Sequence, residues 1–252
     1  MRFRSFPVWL ATLTLSAGTA YAQTNLVQNG NFAQTSYTAN NQFGSAWSQT
    51  TMQGVTDWTG DGGYNIFFFN GTATTVSAVN QWGSTAEKLY ATSSTVLNPA
   101  KGFSGSSPTG DNFIMMDGDQ TPGIEGAISQ TISGLTVGRG YSVSFTWSGA
   151  QLQSRSGNTT EQLLVSLGTS SFITARENNP SGDFYGWVTQ SVYFLANAAS
   201  ETLSFMAVGT PVGLPPVVVL TDISMVSVPE PGTMAVLGVG IAGLIASRRR
   251  RR

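Results

Sequence analysis

Chemistry in this chain has to come from carboxylates, aromatic rings and its two ends, because its 252 residues include no Cys and no His. Their absence removes the best zinc and copper ligands, together with the Ser-His and Cys-His nucleophile pairs. It also excludes a disulfide scaffold, which a region of this length does not need in order to bury a core. Twelve acidic residues lie between Gln23 and Val228: Asp57, Asp61, Glu87, Asp111, Asp117, Asp119, Glu125, Glu161, Glu177, Asp183, Glu201 and Asp222. A glycosidase would use two of them facing each other across roughly 5 to 9.5 Å, and sequence spacing does not choose the pair. A Ser-Lys hydrolase would need Lys88 or Lys101, and neither sits in a recognisable motif. Asp117-Gly118-Asp119, with Asp111 close in sequence, reads as a solvated turn at a strand end, where Asp and Gly are favoured. Sugar binding is the other chemistry within reach, since sugar C–H faces stack on rings while hydroxyls need hydrogen bonds. Trp58, Trp187 and Tyr185 are the ligand candidates, with Trp47, Tyr64 and Trp82 behind them and Asp57, Asp61, Asn65 and Asp183 near in sequence. The competing reading places Trp58 and Trp187 in the interior, because aromatics carry much of a sandwich core.

The elements that must position these groups are strands. Tyr141 to Trp147 alternates large apolar with small hydroxyl side chains, which puts Tyr141, Val143, Phe145 and Trp147 on one face and Ser142, Ser144 and Thr146 on the other. The same reading gives strands at Asn25 to Val27, Tyr64 to Phe69, Asn112 to Asp117, Ala127 to Ile132, Gln162 to Leu167, Trp187 to Leu195, Thr202 to Val208 and Val217 to Val226. Between Gln23 and Val228 the only stretch with a helical apolar period is a weak one from Ala78 to Tyr90, inside a loop-rich region from Asn70 to Ser107. The expectation is therefore an all-β fold, an antiparallel jelly-roll-like β-sandwich over residues 23–227 forming one domain. That region carries five basic residues against twelve acidic ones, a net charge of −7. An acidic surface repels a polyphosphate backbone, which excludes nucleic acid as a partner.

Both ends of the chain read as addresses. Residues 1–22 combine Arg2 and Arg4 with the apolar stretch Val8 to Leu15 and the small residues Ala20 and Ala22, the pattern of a signal peptide helix cleaved before Gln23. At the other end come Val228-Pro229-Glu230-Pro231, then an apolar run to Ser247, then Arg248, Arg249, Arg250, Arg251 and Arg252. Thr233 to Ser247 is somewhat short of the about 20 residues that span a hydrocarbon core, and snorkelling arginines extend it. The five arginines would stop transfer on the cytoplasmic side of an inner membrane. The two prolines keep the preceding motif extended and outside the hydrophobic helix.

This tail resembles the PEP-CTERM sorting signal of exported Gram-negative proteins, also known as the ice-binding protein C-terminal domain. The resemblance implies processing by an exosortase, a membrane-embedded peptidase, followed by delivery to the cell surface or to exopolysaccharide. A permanent tail anchor is the competing reading, since the same apolar length serves both. Asn25 to Phe32 resembles the opening strand of galactose-binding-like and carbohydrate-binding jelly rolls, and Ile128 to Leu135, Tyr141 to Trp147 and Leu220 to Ser224 follow in the order of that family. In such jelly rolls a carboxylate after the first Phe and another in the last strand hold a structural Ca²⁺. Here Ala33 replaces the first, and Asp222 stands as the metal candidate; no other cofactor is implied.

Three functions compete on these grounds. The first is a non-catalytic surface or matrix protein that adheres or binds polysaccharide. The second is an extracellular polysaccharide hydrolase. The third is ice binding, suggested by the tail's other name and by Thr72-Ala73-Thr74-Thr75, which would need to belong to a flat, regular array.

Overall fold

The computed structural model describes residues 23–43, 54–61, 63–79, 87–91 and 103–228. They form twelve strands: β1 (Asn41–Gln42), β2 (Thr59–Gly60), β3 (Asn65–Phe68), β4 (Phe113–Asp117), β5 (Ala127–Ser133), β6 (Gly140–Ala150), β7 (Thr159–Leu167), β8 (Ser170–Ile173), β9 (Glu177–Asn179), β10 (Val188–Leu195), β11 (Ser200–Thr210) and β12 (Val217–Ser227). One sheet runs β1-β3-β4-β12-β6-β10; the other runs β2-β5-β11-β7-β8, with β9 also paired to β7. All strand pairs are antiparallel, as the sequence pattern predicts. The two flanking helices expected at the termini fall outside the described residues.

Alternation decides what each face buries. In β6, Tyr141, Val143, Phe145 and Trp147 all enter the main core between the sheets, joined by Leu163 and Val165 of β7 and Leu203 and Phe205 of β11. The first sheet is covered on its outer face as well. Ile114 and Met116 of β4 point into the main core, while Phe113 and Met115 join a second cluster with Phe68, Val217, Val219, Phe103 and Phe184. A strand apolar on both faces needs partners on both, and the loops supply the second layer.

β12 shows how a local irregularity preserves the pattern. Val218 and Leu220 face the core, and a register shift between Thr221 and Ser224, with Asp222 at φ +53°, moves the inward set to Ile223 and Met225. Without that bulge Asp222 and Ser224 would face the interior, so the extra residue keeps the carboxylate outside.

Two sequence expectations are corrected here. Asn25 to Val27 forms no named strand, though Leu26 N donates to Met225 O at 2.8 Å and Asn25 Oδ1 accepts from Met225 N at 2.9 Å, which lays this segment along β12. The described ends of the weak helical stretch are extended, with Val79 bridged to Asn41 and Leu89 to Leu152. Tertiary pairing there overrides a faint apolar period.

Candidate functional site

The sorting end is built on the last strand. β12 is hydrogen-bonded to its final residue, Ser227, and Val228 N still donates to Gly140 O at 2.8 Å. Pro229, Glu230, Pro231 and Arg248 to Arg252 lie outside the described residues, as do Ala20 and Ala22; Gln23 is exposed. No helix among the described residues is long and apolar enough to cross a membrane.

A cleft of about 600 Å³ opens at the β2–β5 edge of the second sheet. Gln28, Ser36, Thr56, Asp57, Ser129 and Thr131 are among its lining residues. Buried Gln130 braces the floor: its Oε1 accepts from Gln28 N at 2.9 Å, and its Nε2 donates to Gln28 O at 2.9 Å and to Asp57 O at 3.0 Å. Asp61, hydrogen-bonded to Ser129, is raised above the usual carboxylate range by burial, an effect that hydrogen bond partly offsets. Hydroxyls and amides with one lining carboxylate suit a neutral, polyhydroxylated ligand better than an anion or a lipid.

The aromatic candidates do not converge. Trp58 is 2% exposed, which corrects the expectation of a sugar platform: its ring packs against Phe32 at 5.5 Å and Phe205 at 6.2 Å, and Nε1 donates to Asn29 O at 3.0 Å. It is among the residues lining the cleft, yet so deeply buried that it offers little of its ring there. Trp187 is half-buried on the opposite side of the first sheet, against Phe113 and Phe184, with Nε1 donating to Ser106 O. Tyr185, two residues earlier, is half-buried, with its N donating to Gly149 O. Trp47 and Trp82 lie outside the described residues.

An exposed ring stands where the sequence candidates do not. Tyr193 of β10 is 60% exposed, opposite Ser142 of β6, beside a hydroxyl row in which Thr146 Oγ1 and Thr189 Oγ1 are 2.9 Å apart. The signal for it is present in Val192-Tyr193-Phe194: with Val192 and Phe194 inward, alternation sends Tyr193 outward.

The acids are redistributed as well. Asp117 and Asp119 end β4 as expected, yet both are only 4% exposed, so theirs is a buried turn and not a solvated one. Gly118 N donates to Pro216 O and Gly209 N to Gly118 O, which traps the turn between β11 and β12. Asp111 is not part of it. It sits beside Asp222, whose two oxygens accept from Thr109 Oγ1 at 3.1 and 2.9 Å, while Asn31 Nδ2 donates to Asp111 Oδ1 at 3.3 Å. Burial raises the Asp222 carboxyl, the Thr109 hydroxyl lowers it, and neighbouring Asp111 raises it further. A Ca²⁺ of the kind the jelly-roll resemblance implies would be held here by Asp222 and Asp111, with exposed Ala33 leaving the third carboxylate absent. Among the described residues no group of three or more His, Cys, Asp or Glu converges. A third pair, Glu161 and Glu177, lies in the interior at facing register positions of β7 and β9.

Thr72 to Thr75 folds into a tight turn, closed by Val76 N to Thr72 O at 2.8 Å, and forms no flat threonine array.

Comparison with known proteins gives one specific match. Residues 227–251 match the PEP-CTERM protein-sorting motif, so the tail carries the signal for export to the cell envelope or surface. No curated protein sequence matches the chain. Among solved structures the chain is similar to the enzymatically active domain of tailspike protein 4 of bacteriophage CBA120, at 14% identity over 81% of this chain and 21% of that one, with a TM-score of 0.34. It is also similar to TmCBM61 in complex with β-1,4-galactotriose, at 12% identity over 81% and 99% of the two chains and a TM-score of 0.38. The CBM22-1 xylan-binding domain of Xyn10C from Paenibacillus barcinonensis matches at 11% identity over 83% and 97%, with a TM-score of 0.35. The chain thus spans about a fifth of the tailspike structure.

Proposed function

We propose that this chain is a Gram-negative exported protein with three parts: a signal peptide at 1–22, a cargo sandwich at 23–227, and a sorting tail at 228–252. The tail holds the protein transiently in the inner membrane until an exosortase-type peptidase cuts near Val228 to Pro231. The released sandwich acts at the cell surface or in the matrix as a non-catalytic glycan-binding or adhesive module. The observation that supports this best is the boundary itself. The last described strand, β12, ends at Ser227, where the sorting motif begins. A cut just beyond it removes no strand from either sheet, so the cargo stays complete after release.

Intact mass and terminal peptides of the protein recovered from the native cell surface test the sorting half. The expected species begins at Gln23 and ends between Val228 and Pro231; membrane-bound protein still ending in Arg252 would make the tail an anchor instead.

The cleft supports the glycan half, because its lining donates and accepts hydrogen bonds without bringing two carboxylates together. A glycosidase needs such a pair, and neither Asp111/Asp222 nor Glu161/Glu177 lines it. Thr131→Trp fills the cleft from an exposed position and is expected to weaken binding to host exopolysaccharide at least about tenfold, with stability changed by no more than about 0.5 kcal/mol. Loss of binding in Tyr193→Ala with Thr131→Trp unaffected would move the site to the outer face of the first sheet.

A further inference from the structure

The interior of the sandwich contains an oxygen-lined site that the glycan reading does not use. Thr159 pairs with Asn179 and Glu161 with Glu177 across β7 and β9, so four polar side chains form two inward-facing rows. They are 2%, 1%, 0% and 5% exposed respectively. Glu161 Oε1 and Oε2, Thr159 Oγ1 and Asn179 Oδ1 have no hydrogen-bond partner. Glu177 Oε2 accepts from Gly149 N at 2.6 Å, from β6 of the facing sheet. The structure keeps the space between them open: a methyl group on Gly149 would lie 2.8 Å from Glu161 Oε2 and 2.8 Å from Glu177 Oε2. The two oxygens therefore stand no more than about twice that distance apart, an upper limit somewhat above the roughly 4.8 Å that two contacts of a calcium-sized cation span.

Charge makes the same demand. Arg176, next to Glu177 in sequence, is exposed and turned to Gln162 on the other face, with Nε 3.4 Å from Oε1. Unpaired buried carboxylate oxygens cost several kcal/mol unless a proton or a metal satisfies them. A proton can be shared by the two glutamates, and the Thr159 hydroxyl can turn to Glu161, yet both leave Asn179 Oδ1 unsatisfied. A hard dication answers the whole set. Thr159 and Asn179 also line a cleft of about 280 Å³, with Thr160, Pro180 and Pro211, so the site's outer two residues border open space.

We propose that Glu161, Glu177, Asn179 and Thr159 form a Ca²⁺ site that ties β7 and β9 to Gly149 of β6, distinct from the Asp111/Asp222 pair. Its affinity belongs in the range of extracellular modules, between about 10⁻⁴ and 10⁻³ M.

The test uses the full-length chain purified in detergent and stripped with EDTA. Addition of 10 mM CaCl₂ is expected to raise the melting temperature by about 5–10 °C, the shift that ligand linkage gives a protein of this size near the tight end of that range. The rise should disappear in Glu161→Gln/Glu177→Gln and survive in Asp222→Asn. No response in the wild type, or a response kept in the double glutamine variant and lost in Asp222→Asn, overturns the proposal. Because the double variant can fail to fold, a second measurement stays with the wild type: crystals grown with Tb³⁺. An anomalous peak within about 3 Å of both glutamates supports the site, and peaks only elsewhere overturn it.

Discussion

Trp58→Ala is expected to destabilise the fold by about 3–5 kcal/mol, near the top of the range for a single core substitution. The size follows from three contributions. The indole is 2% exposed, so its removal leaves a cavity that Phe32 and Phe205 can fill only in part. Its edge-to-face contact with Phe32, at 66° between the rings, is lost. Its N–H no longer reaches Asn29 O, a carbonyl carried by a residue at φ +51° in a turn that the same bond helps to hold. Urea unfolding measures the cost directly. A Trp that served as a sugar platform would show the opposite profile, with glycan affinity lost and stability nearly unchanged. Trp187→Ala, removing a half-buried ring on the outer face of the first sheet, should cost about 1–3 kcal/mol. Equal, small losses for both variants would be evidence against a buried Trp58.

Trp58 also shows where the sequence stops being readable. The direction of Trp147 was legible because seven residues of β6 alternate without a break, and alternation of that length leaves one choice of inward face. Trp58 sits between Asp57, at φ +67°, and the two-residue strand β2, so no periodicity surrounds it and its direction is fixed by distant partners. Asp111 and Asp117 fail for a geometric reason. They are close in sequence, but Asp111 precedes β4 and Asp117 ends it, and an extended strand carries them to opposite ends of the sheet. The Glu161/Glu177 pair depends on the register of β9 against β7, and a three-residue strand holding two asparagines announces neither itself nor its register. The bulge at Asp222 was hidden for a related reason: Val217 to Leu220 is apolar on both faces, so the shift in the inward set leaves no mark on the pattern.

Asp117→Asn is expected to abolish, between pH 4 and pH 8, the pH dependence that this buried turn contributes. Burial raises the Asp117 carboxyl to about 7; the charges of Asp119 and Glu87 raise it too, while the Asp119 N–H at 2.8 Å and the charge of Arg155 act the other way. A carboxyl that binds its proton more tightly in the folded chain stabilises the fold fully below its ordinary value, near pH 4. That contribution is lost as pH rises through about 7. The asparagine side chain keeps an oxygen that accepts from Asp119 N and removes the titration. Relative to the variant, the wild type should therefore lose up to roughly 4 kcal/mol between pH 4 and pH 8, the ceiling set by the displacement of its pKa. Asp119 provides the internal control. Burial works to raise it, but hydrogen bonds from Gly213 N, Thr121 Oγ1 and Thr121 N outweigh burial and hold it below the usual range. Its contribution is present above the ordinary carboxylate value and lost as pH falls, so Asp119→Asn should destabilise most at neutral pH. The two carboxylates separated by Gly118 alone should thus act in different windows when urea unfolding is repeated at pH 3, 4, 6 and 8: wild type loses stability relative to Asp117→Asn between pH 4 and 8, and its advantage over Asp119→Asn shrinks only below about pH 4. Parallel profiles for wild type and Asp117→Asn would mean that Asp117 is already ionised across this range and that the turn admits enough water to solvate it.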